Sequence, residues 1–108
     1  SQMTYTIKGV EHTEFDINEQ CAELLGVHVA VKGTVHDMYL DKEQDEEYNP
    51  CNNPSDTWPI IEKCFNELML PPYEHSAPSM WESIIDKHNC TKLIAACICY
   101  IEIKEDKL

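Results

Sequence analysis

Apolar residues recur with a helical period near the start of the chain. Positions i, i+4, i+7 and i+8 of this pattern are occupied by Ile17, Cys21, Leu24 and Leu25. Thr13 and Asp16 precede it at capping-box spacing, where each side chain satisfies a backbone N–H of the other residue. Gly26 suits the left-handed conformation that ends many helices. The sequence therefore predicts a first helix over residues 14–25.

A second helical pattern follows a run of small polar residues. Its apolar positions are Trp58, Ile61, Phe65, Leu68 and Met69. Asn53 is a natural N-cap, and Pro54 fits the first helical position, where its missing N–H costs nothing. Asp56 is placed to return a hydrogen bond to the cap. We expect the second helix over residues 54–69.

The last helical pattern is apolar nearly all round. One face carries Leu93, Ala96, Cys97, Tyr100 and Ile101, and the positions between Leu93 and Tyr100 that lie off this face are apolar too. A helix of this kind is central and buried. We expect it to start at Asn89 or Thr91, and we expect the charged residues 102–108 to fray.

Short alternating runs predict a sheet. Residues 3–7 alternate apolar and polar side chains and form a short strand that ends at Gly9. Residues 27–31 and 34–40 are predicted to pair as a hairpin, because a turn signal at positions 32 and 33 separates them.

Three segments before and after the second helix have less distinct patterns. Residues 41–47 are an acidic run, predicted to be an extended, solvated loop because like charges repel. Residues 73–79 are interpreted as a loop. Residues 80–85 favour a strand that completes the sheet, although Ser79 and Glu82 also have the capping-box spacing of a short helix.

Together these elements predict an α+β fold. A small, mostly antiparallel sheet would carry three helices packed as an alpha-beta-alpha sandwich. The length of 108 residues and the 43% hydrophobic content predict a single domain over residues 1–108. No stretch has the length of a membrane span or the pattern of a signal peptide.

The charge excludes several classes of partner. The chain has 20 acids against eight bases, all of them lysine, for a net charge of −12. Binding nucleic acid requires clustered cations, and reading its bases favours arginine, so direct nucleic-acid binding is not expected. Attraction to an anionic membrane is not expected either. A basic protein partner is compatible with this charge.

Cysteine and histidine patterns predict neither a metal site nor catalysis. Six cysteines without a secretion signal favour free thiols, and those on the helix faces are interpreted as small apolar residues. A zinc set of Cys51, His75, His88 and Cys90 would match no known spacing. No histidine stands in an arrangement typical of a nucleophile and its base. We therefore expect a protein without catalytic activity, metal or cofactor.

The candidate site is the polar start of the second helix. Its side chains are those of Asn52, Asn53, Ser55, Asp56, Thr57 and Trp58. A helix N-terminus attracts anions, and Trp58 and Trp81 could stack on a base. The alternative is that the polar residues only cap the helix and that Trp58 belongs to the core.

Three blocks of residues resemble the NinX-like family of small tailed-phage proteins. They are Phe15-Asp16-Ile17-Asn18, the run from Cys51 to Ile61, and the run from Ala95 to Ile101. The resemblance implies a phage alpha-beta-alpha sandwich. The family usually carries an arginine before its last helix, whereas this chain has Thr91-Lys92-Leu93-Ile94. Lys92 could replace that arginine only if it points the same way.

The resemblance also implies an accessory protein that acts in the cytoplasm of the infected bacterium, for example against host defence. Two modes of action remain open. In the first, the protein sequesters a small nucleotide-like ligand, such as an immune signal, in a pocket at a homo-oligomer interface. In the second, it binds and inhibits a host protein through its acidic surface, including by mimicking nucleic acid.

Overall fold

A computed structural model describes residues 3–31, 38–40, 43–68 and 77–106 of the chain. Within these ranges the protein is a mixed α+β fold with four helices and two small antiparallel sheets. The α+β class is confirmed, but four helices are present where three were predicted. The sandwich arrangement therefore differs in detail from the prediction.

The chain begins with a hairpin of β1 (Tyr5–Ile7) and β2 (Val10–His12). Tyr5 and Ile7 are buried while Thr6 between them is exposed, as the alternation predicts. Lys8 and Gly9 both have positive φ, at 52° and 80°, which is the geometry of a tight two-residue turn. Gly9 thus reverses the chain into a second strand that the sequence did not reveal.

The first helix, α1 (Glu14–Leu25), has the predicted bounds. Thr13 and Asp16 form the predicted capping box, with N–H···O distances of 3.1 and 3.0 Å. Gly26 adopts φ 76° and donates its N–H to the last turn, so the predicted stop is also confirmed.

The second sheet has the order β3 (Val29–Val31), β4 (Met38–Leu40) and β5 (Glu43–Glu47). The predicted hairpin is present, and its turn lies outside the described residues. The prediction of a solvated loop for the acidic run 41–47 was wrong over β5. Backbone pairing with β4 requires no apolar side chains, and a charged strand at a sheet edge discourages further pairing.

Three further helices complete the fold: α2 (Pro54–Leu68), α3 (Ala77–His88) and α4 (Lys92–Asp106). The strand predicted over 80–85 was wrong, because these residues lie within α3. Burial or partial burial recurs at positions 80, 81, 84, 85 and 88, which is a helical period. A six-residue window was too short to separate that period from a strand.

Helix α4 is the centre of the molecule and packs against α1, α2 and α3. Every residue from Ile94 to Ile101 is buried, as the all-round apolar pattern predicts. Thr91 caps the helix, since its Oγ1 accepts the N–H of Ile94 at 3.3 Å. The predicted fraying from residue 102 was wrong, because α4 continues to Asp106 and Ile103 is fully buried.

Candidate functional site

The polar residues before α2 form a hydrogen-bonded junction with α1. We call this set the polar junction: Asn18, Asn49, Asn52, Asp56 and Thr57. Asn18 is its buried centre, at 6% exposure. Its amide donates to Oδ1 of Asn49 at 3.0 Å, and its Oδ1 accepts the N–H of Cys51, also at 3.0 Å.

Asn52 and Asp56 extend the junction in opposite directions. Asn52 donates its amide to Oε1 of Glu14 at 2.7 Å and to Oδ1 of Asn49 at 3.2 Å. Asp56 Oδ2 accepts the N–H of Asn49 at 2.9 Å. Asp56 was predicted to accept a hydrogen bond from the cap residue itself, and that was wrong. The loop before α2 folds back, so the carboxylate of Asp56 accepts the backbone N–H of Asn49 instead.

Asn53 is the N-cap of α2, as predicted, because its Oδ1 accepts the N–H of Ser55 at 3.1 Å. Thr57 is fully buried. Its hydroxyl donates toward the carbonyl oxygens of Pro50 and Asn53, the latter at 2.8 Å. The polar groups predicted to read a ligand are therefore already engaged within the protein, at Asn52, Asn53, Asp56 and Thr57.

The partners of this junction on α1 and in the preceding loop were not among the predicted site residues. Glu14, Asn18 and Asn49 take part in five of its side-chain hydrogen bonds. One signal was available in the sequence. Asn18 is four residues before Ala22 and three before Cys21, so a polar amide stands on the apolar face of α1.

Trp58 lies on the outside of the protein. Trp58 and Phe65 are each 59% exposed, and Ile61 between them is half-buried. We call these three residues the α2 stripe. The face that α2 buries consists instead of Thr57, Ile60, Cys64 and Leu68. The interpretation of Trp58 as a core residue was therefore wrong, because the buried face is turned away from it on the helix.

The α2 stripe borders a shallow hollow together with Glu62 and Asn66. An aromatic pair at i and i+7 on one helix face presents a continuous apolar surface. The carboxylate of Glu62 lies at its border, so the surface is apolar with an acidic rim.

Trp81 and Lys92 are not part of either feature. Trp81 is half-buried and packs against the core, and its indole N–H lies near the thiols of Cys64 and Cys99. Lys92 is exposed at the first turn of α4. Among the described residues, neither side chain is hydrogen-bonded to the polar junction.

The described residues contain no group of three or more His, Cys, Asp or Glu side chains that could hold a metal ion. The six cysteines are free thiols, and five of them are buried. Hydrogen bonds with neighbouring thiols, together with burial, raise the pKa of Cys51 and Cys97 above the usual range, so these two thiols stay protonated. Within the described part of the chain, no helix is long and apolar enough to cross a membrane.

Comparison with known proteins adds one result. The model of the family described as "Bacteriophage P22, NinX" matches residues 9–104. No curated protein and no solved structure matches the chain. The match runs from the β1–β2 turn to the last turns of α4, and it includes the polar junction and the α2 stripe. This chain belongs to the bacteriophage P22 NinX family.

Proposed function

We propose that this phage accessory protein acts in the host cytoplasm by binding and inhibiting a host protein, and that it catalyses no reaction. The observation that carries the proposal is the α2 stripe, Trp58, Ile61 and Phe65. Its two aromatic residues are each 59% exposed on a helix that has a separate, fully packed inner face.

Exposed tryptophan and phenylalanine side chains favour a protein partner. Large aromatic residues supply much of the binding energy at protein interfaces, and tryptophan is enriched among the residues whose truncation weakens binding most. The inner face of α2 already stabilises the fold through Ile60, Cys64 and Leu68. The α2 stripe is thus available for binding without cost to the core.

The charge favours a basic partner rather than a second copy of this chain. The net charge is −12, and Glu62 borders the stripe. Two copies meeting here would bring acidic surfaces together, which is unfavourable and slows association. A host protein with lysine or arginine around an apolar patch would complement both the stripe and its rim.

Ligand sequestration is supported less well by the polar junction. A nucleotide bound there would have to compete with the internal partners of Asn52, Asp56 and Thr57. Thr57 is the fully buried member of this set, and releasing its hydroxyl leaves a polar group unpaired at a cost of about 1–3 kcal/mol, whereas the exposed amide of Asn52 can bond water instead. The predicted ligand site thus carries a penalty that the α2 stripe does not.

The test compares variants of the two regions. Tagged full-length protein would be expressed in the host bacterium, its protein partner captured, and the purified partner titrated with wild type and variants. We expect Trp58→Gln with Phe65→Gln to weaken binding by at least about 30-fold. Glutamine keeps a good helix propensity at both positions. Asn52→Ala is the matched control and should bind within about twofold of wild type.

Two further measurements test the proposal: the salt dependence of the affinity for the partner, and the thermal shift of the protein with nucleotides. Affinity should fall as the salt concentration rises, because opposite charges at the rim are screened. Unchanged binding by the double variant would overturn the proposal. So would a thermal shift of the wild type with nucleotides or cyclic dinucleotides that Asn52→Ala abolishes, because that result would favour sequestration.

A further inference from the structure

The interface between α2 and α4 contains two thiols in direct contact. The sulfur atoms of Cys64 and Cys99 are 3.4 Å apart, and both residues are fully buried. A disulfide requires a sulfur–sulfur separation of about 2.05 Å, so a small approach of the two side chains would suffice. The helices that carry them pack along much of their length.

The other buried thiols differ in their surroundings. Cys21 Sγ contacts the carbonyl oxygen of Cys97 at 3.9 Å, and Cys51 Sγ contacts that of Glu14 at 3.7 Å. Both thiols have a backbone acceptor, and the thiol of Cys97 lies near each of them. Cys64 and Cys99 are instead in direct sulfur–sulfur contact.

Trp81 of α3 adds an unusual neighbour to this pair. Its Nε1 is buried without a hydrogen-bond partner of good geometry, and it lies beside both sulfurs. A buried indole N–H normally finds an acceptor. The neighbouring Cys99 thiol lowers the pKa of Cys64, and the indole N–H lowers it further because it favours negative charge on the sulfur. Cys64 is thus the sulfur that ionises more readily.

We propose that Cys64 and Cys99 form a reversible disulfide when the protein meets hydrogen peroxide, and that this bond ties α2 to α4. The Cys64 thiolate attacks peroxide, so that an S–O bond forms, the O–O bond breaks and hydroxide leaves. Cys99 then attacks the Cys64 sulfur, the S–S bond forms and a second hydroxide leaves. Each hydroxide takes one thiol proton, so two thiols and one peroxide give one disulfide and two waters.

The proposal is independent of the host-protein interface. It concerns the inner face of α2, whereas the α2 stripe lies on the outer face. The disulfide would close a loop that contains α3, and it would add a covalent bond between two helices that the reduced protein holds by packing and by the ion pair of Lys104 with Glu67.

Peptide mapping tests the proposal directly. The folded full-length protein would be treated with peroxide, and its remaining thiols alkylated after denaturation. Cleavage after lysine puts Cys64 alone in peptide 64–87 and separates it from Cys97 and Cys99 in peptide 93–104. We expect these two peptides to be joined, with the loss of two hydrogens and full reversal by dithiothreitol.

Variants assign the bond. Cys64→Ala and Cys99→Ala should abolish the joined peptide, whereas Cys97→Ala should retain it. If circular dichroism shows that Cys99→Ala does not fold, Cys99→Val is used in its place, because valine keeps more of the apolar volume. Peroxide treatment that leaves all six thiols open to alkylation would overturn the proposal, as would a bond that persists in Cys99→Ala or disappears in Cys97→Ala.

Tryptophan fluorescence provides a second readout on the folded protein. With Trp58→Phe, Trp81 is the only tryptophan, and disulfide formation beside it should quench its emission. With Trp81→Phe, the remaining Trp58 lies on the exposed stripe and its emission should not change. Equal responses of the two variants would contradict the proposed location of the bond.

Discussion

Helix α2 reverses the usual relation between polarity and burial in two neighbouring regions. At its start, the polar junction buries Thr57 and engages Asn52 and Asp56 in hydrogen bonds within the protein. Directly after it along the helix, the α2 stripe exposes Trp58 and Phe65. Polar residues therefore contribute to the structure here, while apolar residues remain free to bind. Chemical type alone would have assigned these roles the other way round.

The difference has a physical origin in the hydrogen bonds of the loop. The segment before α2 must satisfy its backbone N–H groups, and Asn18 and Asp56 accept two of them, at Cys51 and Asn49. The stripe has no such requirement because its backbone is helical. Its side chains can then remain exposed at little cost, since α4 already covers the opposite face.

The largest expected effect on stability comes from a substitution on the inner face of α2, compared with one on its outer face. Ile60→Ala should destabilise the protein by about 2–5 kcal/mol, because it leaves a cavity against α4. Phe65→Ala, five residues further along α2 and on the stripe, should change the free energy of unfolding by no more than about 0.5 kcal/mol. Urea unfolding followed by circular dichroism measures both. Comparable losses would show that the stripe belongs to the core.

A smaller effect is expected at the centre of the polar junction. Asn18→Ala removes the partners of Asn49 and of the Cys51 N–H in a buried setting, and it should cost about 1–3 kcal/mol. Asn66→Ala makes the same chemical change beside the exposed stripe and serves as the control. If the two variants unfold at the same urea concentration, the junction does not stabilise the fold.

The N-cap provides a finer comparison. Asn53→Ala should cost about 1 kcal/mol, because the Ser55 N–H loses its acceptor. Asn53→Gly should cost only a few tenths of a kcal/mol, since glycine is itself tolerated at this position. Thermal unfolding of the two variants measures this difference. If Asn53 only contacted a ligand and did not cap the helix, both substitutions would leave the stability unaltered.

The stripe itself is expected to contribute little to stability. Trp58→Gln with Phe65→Gln should alter the free energy of unfolding by no more than about 1 kcal/mol, since both side chains are exposed and each surface change costs about 0.5 kcal/mol or less. Acrylamide quenching of Trp58 in a Trp81→Phe background gives an independent check. Trp58 should be quenched more strongly than Trp81 in the Trp58→Phe background.

Sequence patterns predicted the helices well where the period was long and the caps were distinct. The bounds of α1, the capping box at Thr13 and the buried character of α4 are confirmed. The patterns failed where pairing decided the structure. Strand β5 contains acidic residues, and its backbone pairs with that of β4. No period of apolar side chains in the sequence predicts this pairing.

The candidate site was predicted only in part. The position of the polar run at the start of α2 and the N-cap role of Asn53 followed from residue types alone. The partners of Asn52 and Asp56 come from α1 and the loop, and their contacts depend on the tertiary fold. The exposure of Trp58 depends on which face of α2 meets α4, and apolar spacing allowed two neighbouring faces.

Site-specific photo-crosslinking tests the central claim most directly. A photoreactive phenylalanine analogue would be placed at position 62, beside the α2 stripe, or at position 52, in the predicted ligand site, where the Asn52 side chain bonds Glu14 of α1. In the infected host, we predict that position 62 crosslinks to a basic host protein and that position 52 does not. Crosslinking of that protein from position 52 alone, or equally from both positions, would contradict the account.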